Sequence, residues 1–162
     1  MKKLSFIVLT ILCFSVFCQD EVKKAPSFRL ENTGGEYTEL DSLITKGPVL
    51  VNFWASWCKP CKEELPEFNK IAKEFSGNGL RVILITIDKP SDVNKCKNFL
   101  KTKGIELELL KDTDMKSLVG FGGQKGNVPY TVIVSKERNI IYRKKGQINY
   151  KELHDEVKKL FK

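Results

Sequence analysis

Histidine is almost missing from this 162-residue chain; His154 stands alone. That scarcity excludes a His-based metal cage, a Cys/His₂ zinc site and a HExxH metalloprotease. Glycine (11) and proline (6) are too few for a collagen-like or Pro/Gly-rich chain. A clustered basic stripe is lacking too. The formal charge is +8, or +6 without Lys2 and Lys3, yet the longest dense basic run is Arg143-Lys144-Lys145. Nucleic-acid binding calls for a concentrated footprint. The scattered excess reads instead as a solvated basic surface, and no nucleic-acid partner is expected. There is no internal repeat and no low-complexity tract. What is present suffices for one core: 41 % hydrophobic and 10 % aromatic residues in 18.5 kDa, enough for one ordinary domain and too little for two.

Only one long apolar run exists. Met1-Lys2-Lys3 is a charged start, and Leu4 to Cys18 then carries no charge before Gln19-Asp20-Glu21. As a helix that run would span about 22 Å, short of the roughly 30 Å hydrocarbon core. Residues 1–18 therefore read as a signal peptide or an anchor. No A-x-A cleavage pattern is present, and Cys18 follows Ser15-Val16-Phe17. Three readings fit: lipidation at Cys18, an uncleaved anchor, and plain secretion. All three put the body outside the cytoplasm, in a bacterial periplasm or cell envelope. Residues 19–27 form a linker, and residues 28–162 form the domain.

Within the domain, Phe28-Arg29-Leu30 and Tyr37 to Leu40 are short strand signals across Asn32-Thr33-Gly34-Gly35, a hairpin. Pro48 to Trp54 is a near-continuous apolar run, predicting a strand buried on both faces. A helix follows from about Cys58 to Phe75, with Pro66 inside it predicting a kink. Leu80 to Ile87 is a second buried strand, Asp92 to Lys103 a helix, Ile105 to Leu110 a short strand and Met115 to Val119 a helical turn. Tyr130 to Val134 and Ile140 to Arg143 pair as strands, and Tyr150 to Phe161 closes as a helix. The alternation gives an α/β sandwich on a mixed sheet.

Chemistry concentrates at Trp54-Ala55-Ser56-Trp57-Cys58-Lys59-Pro60-Cys61, where the first buried strand ends and a helix opens. Two cysteines three apart at a helix start can close a disulfide across one turn. Cys58 sits where unpaired helix N–H groups point outward, which stabilises a thiolate; Cys61 lies a turn deeper. Cys58 is thus the expected attacking thiolate and Cys61 the resolving thiol. Pro60 suits an early helix position, and Lys59 adds a positive charge; both are expected to tune the couple. A zinc site would need more ligands than Cys96 and a distant His154 supply. A c-type haem site would need His where Lys62 stands. A structural bridge across so small a loop removes little unfolded-state entropy. Trp54 reads as core and Trp57 as an apolar rim. Cys96, on the apolar stripe of its helix, reads as a buried small hydrophobe, and His154 as a surface residue.

The run Val49 to Pro66, V-L-V-N-F-W-A-S-W-C-K-P-C-K-E-E-L-P, closely resembles the TlpA/ResA-like branch of the thioredoxin superfamily, and the likeness extends from about Pro26 to Phe161. It implies a thioredoxin-like sandwich, a central mixed sheet flanked by helices with an N-terminal β-hairpin extension. It implies that Val128-Pro129 is a cis pair facing the CxxC, lining the substrate groove with Trp57. It implies a thiol-disulfide oxidoreductase that reduces disulfides of secreted or membrane-associated proteins, apocytochrome c thiols among them. Neither metal nor organic cofactor is required. The expected partners are protein disulfide and thiol substrates and a membrane-borne thiol protein that restores the electrons, the chain itself acting as a monomer.

The chain departs from the pattern at three places. Tyr130-Thr131 follows Pro129, Gly122 to Asn127 is a glycine-rich loop beside the groove, and Asn52 stands where many thioredoxins bury Asp. Asn cannot take a proton, so an acceptor for Cys61 must come from elsewhere. Glu64, at i+3 from Cys61, and Asp88, at the end of the second buried strand, are the candidates. Alternatives remain: an oxidant or isomerase using the same residues, a peroxiredoxin-like thiol peroxidase, and a copper carrier. The peroxidase pattern has Thr three residues before its reactive cysteine, where Ala55 stands; the copper pattern has CxxxC with a placed His.

Overall fold

The computed structural model describes residues 23–162. The leader over residues 1–18, Cys18 and the first part of the linker lie outside the described residues. Among the described residues no helix is long and apolar enough to cross a membrane.

The chain enters along an edge of the fold. The Ala25 N–H donates to the Arg138 carbonyl and the Ile140 N–H to the Lys23 carbonyl, each at 2.9 Å, beside a bridge between Lys24 and Asn139. The N-terminal hairpin follows, β1 (Arg29–Asn32) and β2 (Tyr37–Glu39), antiparallel as predicted. Leu40, read as the end of that hairpin, instead opens the five-residue helix α1 (Leu40–Ile44). Its buried Leu40, Leu43 and Ile44 fall at i, i+3 and i+4, so one apolar face beats the strand alternation.

The centre is β3 (Val49–Trp54), buried at every position. It pairs parallel with β4 (Arg81–Thr86), which pairs parallel with β5 (Glu108–Lys111). On its other side β3 pairs antiparallel with β6 (Tyr130–Val134), which pairs antiparallel with β7 (Ile140–Lys145). The strand order is β2-β1-β5-β4-β3-β6-β7, a seven-stranded mixed sheet. The fold is thioredoxin-like, as expected. Four further helices flank the sheet: α2 (Lys59–Phe75), α3 (Val93–Thr102), α4 (Lys116–Gly120) and α5 (Tyr150–Lys158).

Side chains alternate across β3. Leu50 packs with Phe68, Ile71 and Phe75 of α2 and Leu153 and Val157 of α5, while Val49, Val51 and Phe53 face the second core with Leu118 and Phe121. Each of the buried Leu65, Phe68, Ile71 and Phe75 of α2 contributes about 2 kcal/mol of apolar burial. The helix runs through Pro66 as one element of 17 residues.

Two local features set the frame of the site. The strand expected from Ile105 starts only at Glu108, because Ile105 closes α3: the Gly104 N–H donates to the Lys101 carbonyl and the Ile105 N–H to the Leu100 carbonyl, with Gly104 at φ +62°. Before β3, Gly47 takes φ +155°, and a Cβ there would lie 2.3 Å from the Gly79 carbonyl oxygen. Gly47→Ala is therefore expected to cost roughly 3 kcal/mol and lower the melting temperature by about 10 °C. An unchanged melting curve would contradict that close approach.

Candidate active site

The end of β3 delivers a tight turn. The Cys58 N–H donates to the Ala55 carbonyl at 3.1 Å, and Cys58 becomes the N-cap of α2 at φ −82°, ψ 105°. Its sulfur accepts the Cys61 N–H at 3.2 Å. An orphan helix donor thus points at the sulfur. The two cysteines are joined in a disulfide of 2.06 Å with Cα atoms 5.3 Å apart. Cys58 is 4 % exposed and Cys61 0 %, so the first sulfur is the one with any access. Pro60 occupies the first turn of α2.

The opposite wall comes from the start of β6. Val128-Pro129 is cis, and the Val128 carbonyl oxygen lies 3.6 Å from the Cys58 sulfur. The Gly146 N–H donates to the Pro129 carbonyl at 2.9 Å, and the Tyr130 hydroxyl donates to the Phe121 carbonyl at 2.9 Å, tying this wall to β7 and α4. Trp57 is 60 % exposed beside the disulfide; Trp54 is buried and packs against Phe99 with ring centroids 6.0 Å apart. The Lys59 ammonium is exposed and 4.0 Å from the Glu63 carboxylate, so that carboxylate offsets part of its field near the sulfur.

Behind Cys61 lies a buried polar knot. Glu64 is 1 % exposed; its carboxylate accepts the Asn52 amide N–H at 2.9 Å and the Ile148 backbone N–H at 2.8 Å. The same Asn52 nitrogen donates to the Thr131 hydroxyl oxygen at 3.1 Å, while Asn52 Oδ1 has no partner among the described residues. Burial pushes the Glu64 carboxyl up to about 7, against the pull of the Ile148 and Asn52 hydrogen bonds. A carboxyl near 7, one helical turn beyond Cys61, is suited to exchange a proton at neutral pH. Beside Asn52 of β3 the buried carboxylate thus comes from α2.

Asp88, the other acceptor candidate, is differently placed. It is 1 % exposed and takes the Ser56 N–H at 2.8 Å, the Ser56 hydroxyl at 2.6 Å, the Thr86 hydroxyl at 2.6 Å and the Cys96 thiol at 3.1 Å. Burial pushes its carboxyl up, but these donors outweigh it and hold the group below the ordinary carboxylate range. A saturated anion is a poor proton acceptor, so of the two carboxyls Glu64 is the one suited to that task. Cys96 is buried as expected, and burial pushes its thiol up to about 12. It is a hydrogen-bond donor as well as a filler of space. The parts played by Asn52, Thr131, Ile148 and Ser56 were not predicted. The one sequence signal was polar Asn52 and Thr131 within two apolar strands, opposite each other in register. His154 lies away from this end, its ring 3.0 Å from the Glu74 carboxylate.

Comparison with known proteins adds the family. Residues 22–143 match the AhpC/TSA family. The chain belongs to that family. Among its relatives is the thiol-disulfide oxidoreductase ResA of Bacillus subtilis (strain 168), 30 % identical over 135 residues, or 83 % of this chain and 73 % of the relative. The ResA of Bacillus thuringiensis subsp. konkukian (strain 97-27) is 28 % identical and covers 95 % of this chain and 93 % of its own length. A crystal structure from Chlorobium tepidum, a candidate thiol:disulfide interchange protein DsbE, superposes with a TM-score of 0.77 at 22 % identity, covering 88 % of this chain and 99 % of that one; it speaks for the fold. Within the family this member is of the ResA-like, thioredoxin-fold kind, and it is a thiol-disulfide oxidoreductase.

Proposed function

We propose that this protein is an extracytoplasmic protein-disulfide reductase in which Cys58 attacks, Cys61 resolves and Glu64 manages the proton of Cys61. The observation that carries this reading is the Cys58 sulfur at the mouth of α2, facing the Cys61 N–H on one side and the Val128 carbonyl on the other. In the reduced protein the Cys58 thiolate attacks a substrate disulfide. One substrate sulfur leaves and takes a proton, and a mixed disulfide forms. Cys61 then gives its proton to Glu64 and attacks the Cys58 sulfur. The second substrate sulfur is released, and two electrons have passed from the dithiol to the substrate. The Cys58–Cys61 disulfide of this structure is the end point of that turnover.

Trp57, Val128 and Pro129 form the groove for the substrate chain, and Lys59 and Pro60 tune the couple. Residues 1–18 act as a signal or anchor, with Cys18 as the lipidation candidate, residues 19–27 as the linker and residues 28–162 as the reductase domain. The ResA match that covers 95 % of the chain supports this arrangement, since it reaches ahead of the domain. Outside the cytoplasm the electrons must return through a membrane-borne thiol protein, and secreted proteins, such as those receiving cytochrome c haem, are the targets. The peroxidase alternative fits less well, because Ala55 offers no hydroxyl three residues before Cys58.

The reduction potential of the Cys58/Cys61 couple tests the direction. A value near about −270 mV is expected for a reductant; one near about −120 mV would make the protein an oxidant acting through the same residues.

A further inference from the structure

We propose that Asp88 is a positioning residue for the reactive sulfur, clamping the turn that carries Cys58 to β4 and α3, with the Cys96 thiol as one of its fixed donors. The inference rests on Cys58 being the attacking thiol and adds how that thiol is held.

The carboxylate of Asp88 gathers donors from three parts of the fold: Ser56 on the active-site turn, Thr86 at the end of β4 and Cys96 on α3. Thr86 Oγ1 also accepts the Asp88 backbone N–H at 3.1 Å. The Thr86 hydroxyl donates to the carboxylate at 2.6 Å and the Cys96 thiol at 3.1 Å, while the Thr86 oxygen and the Cys96 sulfur lie 3.3 Å apart. No cation faces Asp88 in an ion pair among the described residues. Lys95 on α3, paired with Asp92, acts on the Asp88 charge only from a distance, so the anion is held chiefly by its hydrogen bonds. A neutral acid would have to give up an accepting position to its own proton.

Two of the four bonds end on Ser56, two residues before Cys58, and the next link is the Cys58 N–H to the Ala55 carbonyl. Asp88 thereby fixes the turn whose following atom is the sulfur. In the disulfide the Cys61 sulfur also holds Cys58 in place. In the dithiol this turn, the Cys61 N–H on the sulfur and the Lys62 N–H on the Cys58 carbonyl remain, and the clamp then sets how the thiolate meets the helix mouth. The other groups near the sulfur are the Val128 carbonyl and the Lys59–Glu63 pair, and neither touches Asp88.

Alkylation of Cys58 by iodoacetamide, followed on its own peptide by mass in the reduced full-length chain across pH 5–9, reads this directly. Ser56→Ala keeps the charge of Asp88 and removes one donor. It should slow alkylation at pH 7 by about five- to tenfold and move the half-maximal rate to higher pH. Cys96→Ala should slow it by about threefold, and Cys96→Ser, which keeps a donor, should return it to the parental rate. Profiles that superimpose on the parent while the melting temperature falls would reduce Asp88 to an ordinary structural tie and overturn the proposal. So would faster alkylation in Ser56→Ala, or equal rates in the two Cys96 variants. Should Asp88→Asn fail to fold, these three variants still decide the matter. If the parent protein itself shows no preferential reaction at Cys58 near neutral pH, the assignment of the attacking thiol fails instead, which is a separate result.

Discussion

Cys58→Ser is expected to reduce disulfide exchange to the uncatalysed background, with the fold intact. Among the described residues no second thiol can replace it: Cys61 is fully enclosed and Cys96 is buried and donates to Asp88. A serine hydroxyl at the same N-cap still accepts the Cys61 N–H, so the helix start survives, but it is not ionised at neutral pH and does not attack sulfur. Cys61→Ser should behave oppositely. Attack proceeds, resolution does not, and substrate proteins accumulate as adducts on Cys58. A non-reducing gel of extract passed over the Cys61→Ser protein reads both: discrete adducts with Cys61→Ser, none with Cys58→Ser or the double variant. Turnover surviving in Cys58→Ser, or adducts mapped to Cys96, would overturn Cys58 as the attacking thiol.

The second large effect concerns Glu64, where activity and stability should move in opposite directions. The carboxyl titrates at about 7 in the folded chain against an ordinary value of 4.5. Between those two values the folded protein keeps a proton that the unfolded chain releases. Stability must therefore fall as pH rises from about 4.5 to 7 and level off above, a loss of about 3 kcal/mol in all. Glu64→Gln removes that dependence. Asn52 can adapt, because its unpartnered Oδ1 can turn to accept the new amide while the Thr131 hydroxyl donates to the same oxygen. At pH 8 the variant should be about 2 kcal/mol more stable than its parent, or about 5 °C in melting temperature, and nearly unchanged at pH 4.5. Its resolving step should slow by about a hundredfold at neutral pH, because the proton of Cys61 has lost its acceptor. Melting curves of the oxidised proteins across pH 4–9 and single-turnover release of substrate thiol measure the two halves. A variant less stable than its parent at pH 8, with an unaltered resolving rate, would show that Glu64 is simply a buried strut.

Why sequence reached some of this and missed the rest follows from distance along the chain. Cys58 caps the helix that carries Cys61 and Glu64, so spacing alone put the three on one side of it. The run Val49 to Trp54 announced a central strand because both its faces are buried. Asp88 stood out as a carboxylate at a strand end, but its donors lie 32 residues upstream on Ser56 and 8 downstream on Cys96. No local pattern says that they all converge on one carboxylate. Asn52 meets Thr131 across 79 residues, and the Ile148 contact is made by a backbone N–H, which carries no sequence signal. The two misplaced boundaries share a cause. Leu40 and Ile105 are apolar residues next to strand patterns, and each was recruited by a helix end instead.

The way the chain enters the fold has a consequence for reach. Lys23 to Ala25 are laced to the β6–β7 turn, beside Val134, which is paired with Val49 at the foot of β3. The disulfide sits past Trp54, at the head of the same strand. Six residues of strand, about 20 Å, separate entry from sulfur. The chain therefore enters the described domain at the end of β3 opposite the sulfur, so whatever precedes Lys23 joins the domain at the far end of that strand from the disulfide.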